Sequence, residues 1–284
     1  MNRTIVIFFL ACFCCGCEQW RVVSAVPEAN QVIVVNAALS PQNTTTSIYV
    51  GRGERDFGKL QSSSALAIAE AEVFLTTGQS KKKLNFDPQT KLYQVSQNEF
   101  AVEAGKKYIL EITVGKQKVK AECKIPEAIS TPAFEARQSG RFIRSSVSWQ
   151  ATQANQAFML EGYSFYRNEG VPVTTVANWD FDAADLLLSK EAGQLFSQSN
   201  EIRLNIERAL PPTIDVVAEI TQYDDNAVKY LSSVRNSLDS PQMSLGFFDR
   251  FSSPTIRYSN IQNGLGIMVG YNRYVVRQNI PISR

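Results

Sequence analysis

Cys17 is the residue whose type and position most directly predict chemistry, because its thiol closes a leader suited to lipid attachment. Arg3 precedes a short apolar run, and Gly16 stands immediately before the cysteine. Such a run is too short for a membrane-spanning helix, which needs about 20 apolar residues, and it is typical of an export signal. Signal peptidase II cleaves after small residues and ahead of a cysteine that carries diacylglycerol. We therefore expect residues 1–16 to be a lipoprotein signal peptide, Cys17 to be acylated and residues 17–30 to form a tether.

Two alternatives stay open for this leader. Cys12 follows Leu10-Ala11 and is a competing acylation site about five residues earlier. An ordinary secretory leader is the other alternative, although such leaders rarely end at a cysteine. The first alternative changes only the position of the anchor.

The composition of the chain excludes several classes of chemistry. Histidine is absent, which excludes Ser-His-Asp and Cys-His catalysis as well as histidine zinc sites. Without the leader, Cys123 is the one free thiol, so no internal disulfide can form. Removal of Arg3 from the 29 basic residues leaves 28, against 27 acidic ones, and this balance gives no reason to expect a nucleic acid partner. We expect no cofactor.

Two sets of carboxylates have residue types suited to catalysis or metal binding. Asp180, Asp182 and Asp185 lie close together, but the EF-hand template fails because its sixth position, a glycine, would be Asp185. We interpret these aspartates as a capped loop before a helix and predict no metal site. A glycosidase would use two of these carboxylates, or Glu161 and Glu219 on predicted strands, and would require the two carboxylates to face each other at about 5–9 Å. A carboxylate hydrolase is therefore the least favoured function.

The C-terminal part of the sequence contains the best candidate for a partner surface. Phe247, Phe248 and Phe251 fall in a segment punctuated by glycine, serine and proline, where three phenylalanine side chains are difficult to bury together. Asn263 and Gly264 follow, and both residue types tolerate positive φ, which predicts a turn. A ligand or partner loop is the alternative interpretation of this turn. We predict that these five residues contact a partner.

The elements that must position these residues are mainly strands. Short runs of alternating apolar residues recur between turn residues, a pattern typical of all-β sandwiches. The clearest unit is a hairpin over residues 108–125, in which Gly115 and Lys116 form a II′-type turn and Cys123 faces the core as a small hydrophobe. We predict an Ig-like or transthyretin-like β-sandwich over residues 31–126.

The proline-flanked segment 126–132 interrupts the pattern and predicts a domain boundary. Beyond it we expect a second antiparallel, β-rich domain over residues 133–284. Its predicted strands cover residues 141–150, 157–166, 172–176, 201–207 and 213–223. One amphipathic helix follows from Asp224, with its acidic residues at the positive N-terminal end. The predicted fold class is mainly β, with two antiparallel β-sandwich-like domains and one helix in the C-terminal half.

Several short segments, taken in order, resemble a family of Bacteroidota lipoproteins catalogued as domain of unknown function 4249. These segments are 31–37, 69–73, 102–108, 230–231, 253–256 and 259–267. The resemblance implies an outer-membrane location, at the cell surface or the periplasmic face, and genes beside TonB-dependent, SusC-like transporters. It assigns no reaction and no catalytic residues.

These expectations together favour a non-catalytic accessory binding subunit of such a transporter, held at the outer membrane by its lipid. A structural or assembly subunit of an envelope complex is the alternative.

The leader generates the first testable prediction. Cys17→Ala should release the protein from membranes or leave an uncut precursor, because the substituted residue cannot carry diacylglycerol. Metabolic labelling with a fatty acid measures this directly, and Cys12→Ala is the matched control. Lipid incorporation that survives in Cys17→Ala and disappears in Cys12→Ala would show that cleavage occurs at the earlier cysteine.

Overall fold

The structure is a computed structural model that describes residues 32–53, 66–166, 174–178, 187–203, 212–238 and 258–283. The signal peptide, Cys17, the aspartates at 180, 182 and 185, and the phenylalanines at 247, 248 and 251 lie outside the described residues. Predictions about these positions therefore stay predictions. Among the described residues no helix has the length and apolar character needed to cross a membrane.

The described residues form sixteen strands and one helix of regular length. The N-terminal strands are β1 (Ile33–Leu39), β2 (Thr45–Arg52), β3 (Glu72–Thr77), β4 (Ser80–Lys83), β5 (Asn85–Asp87), β6 (Leu92–Ser96), β7 (Lys107–Val114) and β8 (Gln117–Lys124). The later elements are β9 (Ala133–Ser139), β10 (Phe142–Gln150), β11 (Ala157–Tyr166), β12 (Thr174–Asn178), β13 (Leu187–Leu188), β14 (Leu195–Arg203), β15 (Thr213–Tyr223), α1 (Asp225–Leu238) and β16 (Leu265–Pro281).

These strands assemble into three sheets. The largest has the order β12-β11-β15-β16-β1-β2-β6-β5, with β13 paired to β11. A four-stranded sheet has the order β4-β3-β7-β8, and a three-stranded sheet the order β14-β10-β9. The prediction of a mainly β fold with antiparallel sheets and one helix in the C-terminal half is confirmed.

The hairpin of β7 and β8 forms as its sequence predicts. Val114 pairs with Gln117, so Gly115 and Lys116 are the two turn residues. Gly115 has φ of 57°, whereas Lys116 is not among the residues with positive φ, as a II′ turn requires. Cys123 points inward and is 3% exposed, which confirms its interpretation as a small core residue.

The molecule has two hydrophobic cores, and the change from one to the other falls at the proline-flanked segment. The first core extends from Ile33 to Ile125 and also receives Ile261 and Met268. The second begins at Ile129 and ends at Ile280. The 17-residue strand β16 contributes to both, because it pairs with β1 on one side and with β15 on the other. One sheet therefore spans the two predicted domains.

The pairing of β1 with β16 is parallel, unlike the other strand pairs of the described residues. It joins residues more than two hundred positions apart, which local alternation in the sequence cannot reveal. Gly266 makes the approach possible: its φ is +112°, and a Cβ atom placed there would overlap the carbonyl oxygen of Val35. At Gly270 a Cβ atom would lie 2.7 Å from the carbonyl oxygen of Lys124.

One strand begins earlier than predicted. The strand predicted from residue 201 is β14 (Leu195–Arg203), which begins at Leu195, and residues 204–207 of the prediction lie outside the described residues. Its inward-facing positions include Gln198 and Asn200, opposite Val147 and Ser145, so the hydrophobic pattern does not mark its first half. The strand predicted over residues 172–176 overlaps β12 (Thr174–Asn178), and residues 172 and 173 lie outside the described part of the chain.

The close approach of β16 to β1 generates the second prediction. Gly266→Ala should lower the free energy of unfolding by about 3 kcal/mol or more, because it combines strained φ with overlap against a backbone oxygen. Gly140→Ala is the matched control, since Gly140 also has positive φ (59°) but open space around it, and should lose about 1 kcal/mol. Urea unfolding measures both. Equal losses in the two variants would contradict the close contact.

Candidate functional site

A polar cleft with a volume of about 780 Å³ lies where the two cores meet. Its lining comes from the ends of β7 and β8, the linker after β8, the turn at residues 153–156, the end of β15, the start of α1 and the segment 258–262. Volumes between about 300 and 1,000 Å³ are typical of sites for small ligands. The cleft is thus built from segments that are distant in sequence.

Asp224 fixes the start of α1 at the edge of this cleft. Its Oδ1 accepts a hydrogen bond from the backbone N–H of Ala227 (2.9 Å), which is the geometry of an N-cap. Its Oδ2 accepts from the N–H of Gly270 (3.0 Å), and its own N–H donates to the Gly270 carbonyl (2.9 Å). One carboxyl group therefore joins the helix to β16. The helix starts at Asp225, with Asp224 as its cap.

Burial changes the acid chemistry of this carboxyl group. The Asp224 side chain lies among buried residues, and desolvation raises its pKa from 3.8 to about 6. The hydrogen bonds from Ala227 and Gly270 oppose this increase, and the nearby charge of Asp225 adds to it. The pKa of Asp224 thus lies within the range where a modest change of pH alters its charge.

The segment 258–262 is joined to the edge of β8. The backbone N–H of Gln262 donates to the Lys120 carbonyl (2.8 Å), and Lys120 N–H donates in return (3.3 Å). The Asn260 side chain donates to the carbonyls of Glu122 (3.1 Å) and Met268 (2.7 Å). Asn260 also accepts from the Met268 N–H at 2.9 Å. This segment therefore forms a fixed wall of the cleft.

The first turn of α1 completes that wall. Asn226 Nδ2 donates to the Glu122 carbonyl (2.9 Å), and Asn226 Oδ1 accepts from the Tyr258 hydroxyl (2.9 Å). Lys229 Nζ lies 5.8 Å from the centre of the Tyr258 ring, within the distance of a cation–π contact. Helix, segment and β8 are thus held together by side-chain amides.

Two predicted partner residues lie beside this wall. Asn263 has φ of 59° and donates from Nδ2 to the Lys118 carbonyl (3.3 Å). Gly264 packs closely on β1, because a Cβ atom there would lie 2.8 Å from the Ile33 carbonyl oxygen. The predicted turn is therefore present, and its close approach to β1 and β8 explains the residue types. The partner role of these residues stays a prediction.

Gln222 is the feature of the cleft that sequence analysis missed. Its side chain is 0% exposed and lines the cleft, yet neither Nε2 nor Oε1 has a hydrogen-bond partner among the described residues. Asn272, its cross-strand neighbour, is 1% exposed and donates to the Pro126 carbonyl (2.6 Å), but its Oδ1 has no partner in the described part of the chain. Buried polar atoms are nearly always paired. Among the described residues, buried atoms of Thr46, Thr76, Ser145 and Trp149 also lack partners, so Gln222 is distinguished by its place in the cleft lining.

A signal for Gln222 was present in the sequence. Val216, Ala218, Ile220 and Gln222 occupy alternate positions of β15, and the first three are buried apolar residues. A carboxamide that continues such a row faces the core and requires a polar partner.

Cys123 also lines the cleft but is unsuited to nucleophilic chemistry. Burial raises the pKa of its thiol well above the usual value, and the charges of Asp224 and Glu122 add to the increase. The thiol is therefore protonated at neutral pH. Among the described residues no group of three or more cysteine, aspartate or glutamate side chains could hold a metal ion.

Glu161 and Glu219 are brought together, away from the cleft lining. They are direct cross-strand partners on β11 and β15. Glu161 is exposed, and Glu219 forms an ion pair of 3.6 Å with Arg273. Their arrangement is that of a charged pair on a sheet surface next to an arginine.

A second polar depression, of about 600 Å³, lies on the three-stranded sheet. Its charged groups include Arg137 and Arg144, which are cross-strand neighbours, and Arg144 Nε donates to Glu201 Oε2 at 2.6 Å. The depression is also lined by Ser145, which is 4% exposed and whose Oγ has no hydrogen-bond partner among the described residues. Its whole lining comes from one sheet and its charged side chains are exposed, so we favour the cleft at the junction of the cores.

The family model described as "Domain of unknown function (DUF4249)" matches residues 21–277. The chain belongs to this family. The match includes the whole cleft lining, from Lys107 to Gln262. No curated protein matches the chain.

Two solved structures match the chain with low structural similarity. One is a proposed carbohydrate binding protein from Bacteroides uniformis, with 11% identity, a TM-score of 0.21, and coverage of 68% of this chain and 89% of the other. The other is CBD12 from CALX1.2, with 10% identity, a TM-score of 0.19, and coverage of 86% of this chain and 100% of the other. At these TM-scores the similarities carry no argument about function.

The burial of Asp224 generates the third prediction. Because its pKa in the folded protein (about 6) lies above its usual value (3.8), the folded state binds this proton more tightly than the unfolded chain does. The resulting stability is fully present below about pH 4 and is lost as the pH rises through 6, a change of about 3 kcal/mol.

Asp224→Asn keeps a capping side chain but cannot titrate. The free energy of unfolding of the parent, minus that of the variant, should therefore fall by most of this amount between pH 4 and pH 7 in urea unfolding. Glu191→Gln, which replaces an exposed carboxylate, is the control for the loss of a carboxylate that is not buried. A constant difference for Asp224→Asn would contradict the raised pKa.

Proposed function

We propose that this protein is an outer-membrane lipoprotein that binds a ligand without transforming it and serves as an accessory subunit of a TonB-dependent transporter. The anchor is the lipid on Cys17, and the ligand site is the cleft between the two cores. The observation that carries the proposal is the buried, unpartnered carboxamide of Gln222 in the lining of that cleft.

Burial of Gln222 without a partner is unfavourable, which is why it supports a binding role. A buried polar group that lacks hydrogen bonds costs about 1–3 kcal/mol, and leucine at the same position would avoid this cost. Because Gln222 is 0% exposed, a ligand with donors and acceptors supplies the missing bonds only when the side chains that cover the carboxamide move aside. The cleft is open to solvent through exposed residues of its rim, such as Gln153, Asn155 and Gln262, so a ligand can enter.

The chemistry of the cleft favours binding over catalysis. The chain contains no histidine, and the Cys123 thiol is protonated and 3% exposed. Asp224, with a pKa of about 6, is the best general base in the lining, but both of its oxygens already accept backbone hydrogen bonds. These groups therefore have structural roles.

The transporter contact is proposed at Phe247, Phe248, Phe251 and the turn at Asn263-Gly264. The turn is bonded to β8, and the adjacent segment 258–262 forms a cleft wall. A partner bound at this turn would therefore lie next to the ligand site. Such proximity suits an accessory subunit that presents a ligand to a transporter.

Two alternatives remain from other classes. A structural or assembly subunit of an envelope complex would use the same partner surface but would not need the cleft. A carboxylate hydrolase is favoured by one observation, the direct cross-strand pairing of Glu161 and Glu219. The ion pair of Glu219 with Arg273 weakens this alternative, and neither glutamate belongs to the cleft lining, where a substrate would be held.

The partner surface generates the fourth prediction. The triple variant Phe247→Ala/Phe248→Ala/Phe251→Ala should stay folded and lose most of its recovery of the transporter in a pull-down from native membranes. Each phenylalanine buried at an interface contributes about 1.5–3 kcal/mol, so two or three together weaken association by several orders of magnitude. Mass spectrometry of the recovered proteins measures the loss.

Phe142→Ala, which removes a half-buried ring from β10, is the control and should leave recovery unchanged. Thermal melting of each variant separates folding from association. A triple variant that unfolds shows that these rings belong to a core, and one that stays folded with full recovery shows that the contact lies elsewhere. If the parent recovers no transporter, the accessory role is wrong and the structural or hydrolase alternative gains support.

A further inference from the structure

We propose that the cleft between the two cores binds a neutral, polyhydroxylated ligand of the oligosaccharide class, with the Gln222 carboxamide as its deepest hydrogen-bonding group. This inference rests on the proposed binding function and adds the chemical class of the ligand. Three features of the cleft lining support it: the kinds of polar group, their charges, and the polar atoms that lack hydrogen-bond partners.

Carboxamides make up much of the polar lining. Seven of them face or border the cleft, as many as the charged side chains there: Gln153, Asn155, Gln156, Gln222, Asn226, Asn260 and Gln262. A carboxamide offers donors and an acceptor on the same side chain, and a sugar hydroxyl donates once and accepts twice. One hydroxyl can therefore donate to the amide oxygen while a neighbouring hydroxyl accepts from the amide N–H. A simple anion or cation would use only half of each amide.

Some of these amides are already committed to the protein. Asn226 and Asn260 bond to β8 and β16, and Gln156 Nε2 donates to Thr152 Oγ1 at 2.8 Å. Gln222 is the contrasting case, because both of its polar atoms lack partners in the described part of the chain although it is fully buried. The fixed amides thus hold the wall, and Gln222 is the group that a ligand would satisfy once the side chains that cover it move aside.

The charges of the lining disfavour an anionic ligand. Three lysines face four carboxylates, so the lining has no excess of positive charge: Lys107, Lys124 and Lys229 against Glu122, Glu127, Asp224 and Asp225. Lys107 Nζ and Glu122 Oε2 also lie 2.8 Å apart as an ion pair. A site for phosphate or carboxylate would require converging cations that are not neutralised in this way.

Tyr258 and Tyr223 add aromatic surface to the lining. The Tyr258 hydroxyl is bonded to Asn226, so its ring is held in a fixed orientation on the wall. Both rings are half-buried, which leaves part of each accessible. An apolar ring beside hydrogen-bonding groups suits a sugar, whose ring carries C–H groups as well as hydroxyls.

The test measures binding of defined probes to the full-length purified protein, kept in a detergent without a sugar headgroup. Isothermal titration calorimetry is carried out with neutral oligosaccharides of glucose, mannose, xylose and galactose. Oligogalacturonate and an uncharged tetrapeptide are the comparison probes. We expect at least one neutral oligosaccharide to bind and the comparison probes not to bind.

Gln222→Leu is the decisive variant, because it removes the amide and keeps a similar volume. It should weaken oligosaccharide binding about tenfold or more, while its melting temperature stays equal or rises, since an unpaired buried amide has been removed. Gln198→Leu, the same substitution on the three-stranded sheet, is the matched control and should change neither the affinity nor the ligand preference. If Gln222→Leu does not fold, Gln153→Ala/Gln262→Ala truncates two exposed amides of the rim and should weaken binding instead.

Three outcomes would overturn the inference: no neutral oligosaccharide binds, one binds equally well to the parent and to the folded variants, or the tetrapeptide binds in its place. The last outcome identifies a peptide ligand. Failure of this inference is distinguishable from failure of the proposed function, since recovery of the transporter in the pull-down does not depend on which ligand fills the cleft.

Discussion

The parallel pairing of β16 with β1 is the constraint on which the rest of the structure depends. β16 lies between β1 and β15, and no other described strand pairs across the two cores. Gly266 permits the approach because any side chain there would overlap the backbone of β1. The same strand then presents the backbone of Gly270 to Asp224, which fixes the start of α1. The cleft lies beside this junction, so its geometry follows from one glycine-dependent contact.

The sequence predicts features that depend on residues close together along the chain, and it does not predict features that depend on contacts between distant residues. The β7 and β8 hairpin follows from local alternation and a glycine turn, and β15 was predicted with its observed bounds, because their pairing partners or faces are encoded within a few residues. The parallel contact of β1 with β16 has no local signal. The first half of β14 was missed because Gln198 and Asn200 occupy positions where apolar residues are expected.

The residues of the candidate site also divide into those with a local sequence signal and those without one. Sequence reasoning identified the turn at Asn263-Gly264 and the acidic start of the helix, both of which depend on neighbouring residues. It did not bring these features together with Gln222, because the cleft forms only when β8, β15 and the segment 258–262 meet in three dimensions. Asp224 illustrates the difference: the sequence predicts a residue at the helix start, but the raised pKa comes from burial against β16.

Two groups at the cleft lower the stability of the fold. Residues that lower stability are expected where they serve binding. Ionised Asp224 is buried, and Gln222 is buried without a partner. Replacement of the glutamine by an apolar residue of similar volume would remove one of these penalties without disturbing the strand. Polar groups that are retained at such a cost are common where a ligand binds, because a site must hold its hydrogen-bonding groups ready before the ligand arrives. The fold thus places a rigid wall of amides bonded to the protein next to Gln222, whose polar atoms lack partners among the described residues, and it does so where segments of both cores meet.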